Sequence, residues 1–128
     1  MTPSDSIQRG HAVLDWNRRH LHHESQLSEA IIGECFAEQF VVAPNGRHYQ
    51  ADRALYLDFL NGMKSTLERI DYQVQHTVAD ERSVVFSMRA LLYRPGGVEE
   101  SFEAMLMMAF DAEGKVTLWR EVYLPSPR

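Results

Sequence analysis

Apolar positions near the start of the chain recur at helical spacing. Ile7, Leu14 and Leu21, with Val13 and Trp16 beside them, follow Ser4 and Asp5, which offer an N-cap. The spacing predicts one amphipathic helix over residues 5–22. Ser25 can cap a shorter helix carrying Leu27, Ala30, Ile31 and Ile32 and ending near Gly33. Residues 34–42 read as a strand, and Pro44-Asn45-Gly46 is a turn signal before a short return through His48 and Tyr49. Asp52 then caps a third helix that carries Leu55, Phe59, Leu60, Met63 and Leu67.

After Glu68 the period changes from about 3.6 to about 2. Tyr72, Val74, His76 and Val78 alternate with Gln73, Gln75 and Thr77 as far as Asp80-Glu81. Three further long runs follow, 83–93, 99–110 and 115–123, separated by Arg94-Pro95-Gly96-Gly97 and Asp111-Ala112-Glu113-Gly114, with Pro125 and Pro127 ending the fold. No repeat or low-complexity tract interrupts them. Helices first and a four-strand meander afterwards is an α+β order, not an alternating one.

Turn geometry predicts the register. A three-residue loop with Gly114 left-handed sets Phe110 opposite Val116, pairing Met107 with Trp119, Met105 with Glu121 and Glu103 with Tyr123. A similar loop at Pro95-Gly96-Gly97 pairs Arg89 with Glu103 and Ser87 with Met105. A two-residue loop at Asp80-Glu81 sets His76 opposite Val85 and Tyr72 opposite Arg89. One face then holds Tyr72, His76, Ser87, Arg89, Glu103, Met105, Met107, Trp119, Glu121 and Tyr123. The other holds Val84, Phe86, Met88, Phe102, Leu106, Met108, Phe110, Val116, Leu118 and Val122. Neither face reads as a wet one, so both need cover. Three helices cover one, and a second copy of the chain is expected on the apolar other, making a homodimer.

Composition narrows the function classes. A chain of 128 residues, 45% of them apolar, is long enough for one core and too short for two. We expect a single domain over 1–128. A net charge of −5 argues against a general nucleic-acid or acidic-membrane binder. Apolar runs such as 104–110 are far too short to span a membrane, and residues 1–10 lack the apolar stretch of a signal peptide. The single cysteine, Cys35, suits a reducing compartment. The expected location is cytoplasmic.

The order helix, helix, short strand pair, helix and four-strand meander, ending in Gly114-Lys115-Val116-Thr117-Leu118-Trp119-Arg120-Glu121-Val122-Tyr123, resembles the nuclear transport factor 2-like superfamily. Within it the chain is most similar to the SnoaL-like branch of small cyclases, isomerases and hydrolases. The resemblance implies a cone-shaped, curved antiparallel sheet packed on three N-terminal helices, a cystatin-like fold. Trp119-Arg120-Glu121 is also similar to a segment of limonene epoxide hydrolases. There a tryptophan lines the pocket and a carboxylate two residues later helps to activate water. An arginine on an inner strand orients that carboxylate, which Arg89 matches, and an aspartate two residues on donates a proton. Position 91 here is Leu91, so the donor is missing.

A carboxylate between Trp119 and Tyr123 on a covered face costs several kcal/mol unless paired. Glu121 is the candidate general base, with Arg89 as its orienting partner and His76 as an acid, base or ligand hydrogen bonder. The alternative is a purely structural Arg89–Glu121 or Arg89–Glu103 pair. Tyr72 and Tyr123 offer hydroxyl donors, while Met105, Met107, Trp119 and Glu103 line the expected pocket with Trp16 over its mouth. The expected ligand is a small, mostly apolar metabolite, turned over without a cofactor or held without catalysis. His20, His22, His23 and Glu24 suggest metal ligands, but histidines at a helix C-terminus are better read as satisfying open carbonyls.

Overall fold

A computed structural model describes residues 1–126. It contains helices α1 (Pro3–His20), α2 (Glu29–Ile32) and α3 (Arg53–Lys64) and strands β1 (Phe36–Pro44), β2 (Tyr49–Asp52), β3 (Arg69–Ala79), β4 (Ser83–Arg94), β5 (Val98–Phe110) and β6 (Val116–Pro125). Pro127 lies outside the described residues. The α+β order is as expected, with shifts at the ends of elements. Helix α1 begins earlier because Thr2, not Ser4 or Asp5, caps it. The Thr2 hydroxyl accepts from the Asp5 N–H at 3.1 Å and the Asp5 carboxylate accepts from the Thr2 N–H at 2.9 Å. Ser28, not Ser25, caps α2. The Ser25 hydroxyl instead donates to the carbonyls of His20 and His22 beyond the end of α1. Asp52 caps α3 as expected, accepting from the Leu55 N–H at 2.8 Å.

The six strands form one sheet in the order β2-β1-β6-β5-β4-β3. All neighbours are antiparallel except β1 and β6, which run parallel. Helix α1 lies against β3 and β4. Gly10 permits its close approach, since a Cβ there would stand 2.8 Å from Val84 Cγ1 and 2.9 Å from the Phe86 ring. Trp16, Phe36, Phe86, Leu106 and Met108 are fully buried between helices and sheet.

The β4–β5 register is the expected one, with Arg89 opposite Glu103 and Ser87 opposite Met105. The other two registers differ, each for a local reason. Phe110 does pair with Val116, but Thr117 is then an extra residue, so Ala109 faces Leu118 and Met108 faces Trp119. One bulged residue sends every later side chain of β6 to the opposite face. At the β3–β4 hairpin the turn sits one residue later, at Glu81-Arg82. Asp80 fixes it there by accepting from the Arg82 and Ser83 N–H groups and the Ser83 hydroxyl. That move pairs His76 with Ser87, and a second shift at Gln75 then pairs Tyr72 with Ala90.

These shifts re-sort the faces. Tyr72, Trp119, Glu121 and Tyr123 join Phe86, Met88, Leu106 and Met108 on the inner, helix-covered face. Leu118 and Val122 move to the outer face with His76, Arg89, Glu103, Met105 and Met107. The apolar surface expected to meet a second subunit is therefore the core of the single chain. Its outer counterpart is mixed, and large side chains on it are open to solvent, among them Met105 at 53% and Val122 at 56% exposure.

Candidate functional site

Val13 and Asn17 of helix α1 and its C-cap residue Leu21 follow at four-residue intervals, so Asn17 is a polar residue in an apolar stripe, and it is buried. Its side-chain amide donates to the Tyr72 hydroxyl at 2.8 Å. Arg18, next along the helix, grips the same strand. Its guanidinium bonds Asp71 Oδ1 at 2.8 Å and the Tyr72 carbonyl at 3.0 Å and lies 5.5 Å from the Tyr72 ring centre. Burial alone would raise the Asp71 carboxyl, but hydrogen bonds from Arg18 and the Tyr72 N–H outweigh it and hold the pKa below its ordinary value.

Tyr72 forms part of the wall of a cavity of about 690 Å³ between the inner face of the sheet, α1 and α3. The sheet contributes Met88, Ala90, Phe102, Ala104 and Trp119, and α3 contributes Tyr56, Leu60 and Met63. Glu121 is the single carboxylate among the described lining residues. The turn after β1 holds its strand segment in place: the Asn45 N–H donates to the Glu121 carbonyl at 2.8 Å, and the Tyr123 N–H donates to Asn45 Oδ1 at 2.8 Å. Asn45 does this from a left-handed backbone (φ 48°), which asparagine tolerates better than most residues.

Among the described residues no cation forms an ion pair with Glu121. Burial pushes its pKa above the ordinary carboxylate value, and a hydrogen-bonding contribution from the Trp119 side chain offsets part of the rise. Its charge reaches the two inner tyrosines. Burial first, and then Glu121, drive the Tyr56 hydroxyl far above its usual range, and Tyr72 is raised in the same sense. Both phenols thus stay protonated and able to donate. Since the Tyr72 oxygen accepts from Asn17, its own O–H remains available to another acceptor.

The sequence-predicted site residues divide between the two faces. Glu121, Tyr72, Trp119 and Tyr123 line the cavity together. Arg89 lies on the outer face, where its guanidinium meets Glu103 Oε1 at 3.3 Å, so it does not reach Glu121. His76 is exposed on that outer face opposite Ser87. Met105 and Met107 are there too. Trp16 is buried away from the mouth and donates its indole N–H to Glu34 Oε1 at 3.3 Å. The cavity side of β4 presents Met88, Ala90, Leu92 and, at its end, Arg94, which is held by Glu100 and Thr66, so β4 supplies neither an arginine paired with Glu121 nor the proton donor.

Asn17, Tyr56 and Arg47 line the cavity and were not singled out by the sequence reading. The signal for Asn17 was a polar residue at an apolar helical position. For Tyr56 it was the four-residue interval to Leu60 on the buried side of α3. Cys35 is half-buried, and burial pushes its thiol up to about 11, away from thiolate chemistry. The His22 ring meets the Arg19 carbonyl at 3.1 Å, and among the described residues no group of His, Cys, Asp or Glu is placed to hold a metal. Nor, among them, is any helix long and apolar enough to cross a membrane.

No protein-family model and no curated protein matches this sequence. Solved structures do match its shape. An LEH-like epoxide hydrolase of M. tuberculosis is 15% identical, with a TM-score of 0.73 over 95% of this chain and 80% of that one. The epoxide hydrolase/cyclase-like enzyme SalBIII, described for pyran ring formation in the polyether salinomycin, is 20% identical, with a TM-score of 0.69 over 94% and 93%. A protein from Shewanella putrefaciens, assigned as a SnoaL-like polyketide cyclase, is 15% identical, with a TM-score of 0.75 over 93% and 89%. The chain has the nuclear transport factor 2-like fold, in the form seen in SnoaL-like cyclases and LEH-like epoxide hydrolases.

Proposed function

We propose that the cavity binds a small, mostly apolar metabolite and catalyses proton transfer on it without a cofactor, with Glu121 as the general base. The observation that carries this reading is the single carboxylate of an apolar cavity, half-buried, without an ion-pair partner among the described residues and with a raised pKa. A structural carboxylate on a covered strand is normally paired. An unpaired one, poised closer to neutral pH, is suited to taking and returning a proton. In the proposed reaction Glu121 removes a proton from a carbon beside a carbonyl. The Tyr72 hydroxyl, backed by Asn17, donates to the oxygen where negative charge develops, and the protonated Glu121 returns the proton to another carbon. Atoms balance, as in an isomerisation. Arg89 and His76, on the outer face, have no part in this scheme.

A non-catalytic binding domain is the second reading, favoured by the apolar Met88, Ala90 and Leu92 where a second acid or base would stand. The two are separated with 5-nitrobenzisoxazole, a small apolar probe. A carboxylate takes its C3 proton while the N–O bond breaks, releasing a coloured cyanonitrophenolate. The catalytic reading expects turnover by the protein and its loss in Glu121→Gln at unchanged folding. Equal rates in the two proteins support the binding domain.

The homodimer is proposed through the outer face, not the inner one. Exposed Val78, Met105, Val122 and Leu124 give that face its apolar content.

A further inference from the structure

We propose that the ligand of this cavity carries an anionic group, such as a carboxylate or phosphate, and that Arg47 holds it at the mouth. The proposal rests on the cavity being a ligand site, and it deepens that reading by naming a ligand class. The lining carries polar side chains on the sheet, on α1 and on the β1–β2 turn. Glu121, Tyr72 and Asn17 lie on its inner wall, and Arg47 stands on the exposed turn between β1 and β2. Around Arg47 the rim is apolar: Tyr49, Leu55 and Phe59 are 49%, 58% and 58% exposed, an unusual cost for large side chains at one opening.

Arg94, the other described cation of the lining, is already held by Glu100 and by the Thr66 hydroxyl at 2.7 Å. Arg47 has its backbone N–H fixed on the Pro44 carbonyl at 3.0 Å, while its guanidinium makes no ion pair among the described residues. Glu121 does not neutralise it, since burial and Trp119 govern that carboxyl. An apolar collar around one unpaired guanidinium suits an amphiphile whose body fills the cavity and whose anionic end meets a planar, bidentate donor. In a chain of net charge −5, such a ligand needs a local cation to be drawn to the opening.

The test uses two fluorescent probes with the same aromatic framework. One, 8-anilinonaphthalene-1-sulfonate, carries an anion, and N-phenyl-1-naphthylamine does not. We expect the sulfonate to bind about tenfold more tightly, to displace the neutral probe one for one, and to lose its advantage as salt is raised. Arg47→Gln, a change at an exposed position, should bring the two affinities together and leave that of the neutral probe within about twofold. Equal affinities in the unaltered protein, a sulfonate preference that survives Arg47→Gln, or displacement that is not competitive would each overturn the proposal. Probe binding and turnover of 5-nitrobenzisoxazole are both read on the unaltered protein. Probe binding without proton transfer therefore sinks the proposed reaction alone, and turnover without a sulfonate preference sinks only the assignment of Arg47.

Discussion

The side-chain amide of Asn17 reaches the Tyr72 hydroxyl across 2.8 Å and so ties the first helix to the third strand at the wall of the cavity. Both groups are buried. Tyr72→Phe keeps the ring and its packing but removes the proposed donor. We expect turnover of 5-nitrobenzisoxazole to fall roughly 100-fold, with binding of N-phenyl-1-naphthylamine little changed. Asn17→Ala should also destabilise the fold by about 1–2 kcal/mol, read by urea denaturation, because it removes a buried hydrogen bond.

Asn45 acts through Glu121 rather than on the ligand. Its N–H and Oδ1 bracket the strand segment that carries the carboxylate, from a left-handed backbone. Asn45→Ala removes one of these bonds and strains the turn. The expected result is a lower kcat at nearly constant KM, with Asn45→Asp recovering part of the loss. A change in KM alone would make Asn45 a ligand contact instead.

Glu121 and Asp71 make opposite contributions to stability as pH changes. The folded-state pKa of Glu121 is raised, so its favourable contribution is complete below the unfolded value and is lost as pH rises through the folded one. Glu121→Gln should therefore melt at or above the temperature of the unaltered protein at neutral pH, with the gap closing below pH 4.5. Asp71 is depressed, so its contribution is present above the unfolded value and lost as pH falls through the folded one. Asp71→Asn should lower the melting temperature at neutral pH and have little effect in strong acid.

Gly10 tests the packing of α1 on the sheet. An alanine Cβ there would press within 3 Å of Val84 and Phe86. Overpacking of this kind costs about 1–3 kcal/mol, so Gly10→Ala should unfold at lower urea despite the better helix propensity of alanine.

The proposed dimer is tested by light scattering. Val122→Lys and Met105→Lys place charges on the outer face, on the side of the sheet away from the cavity. We expect a dimeric mass for the unaltered protein and a monomeric one for the double variant, with probe turnover retained.

Much of this fold is legible in the sequence because periodicity and turns carry it. The change of period after Glu68, the Asp52 cap and the glycine at position 114 each match the structure. The Pro95-Gly96-Gly97 loop even pairs Arg89 with Glu103 correctly. The site was only half legible. Glu121, Tyr72, Trp119 and Tyr123 do share a cavity, but Thr117 makes a bulge that no residue type announces. Because strand side chains alternate, that one residue separates Glu121 from Arg89, Met105 and Met107. Arg47 was invisible for another reason: its place at the mouth depends on how the β1–β2 turn meets α3, which spacing along the chain does not encode.

The central claim is that the Glu121 carboxylate is the base, and the pH dependence of kcat/KM for 5-nitrobenzisoxazole tests it most directly. The account predicts a rate that rises with pH through a midpoint above 4.5 and then levels, with that limb absent from Glu121→Gln. The same pH profile and rate in both proteins would contradict it.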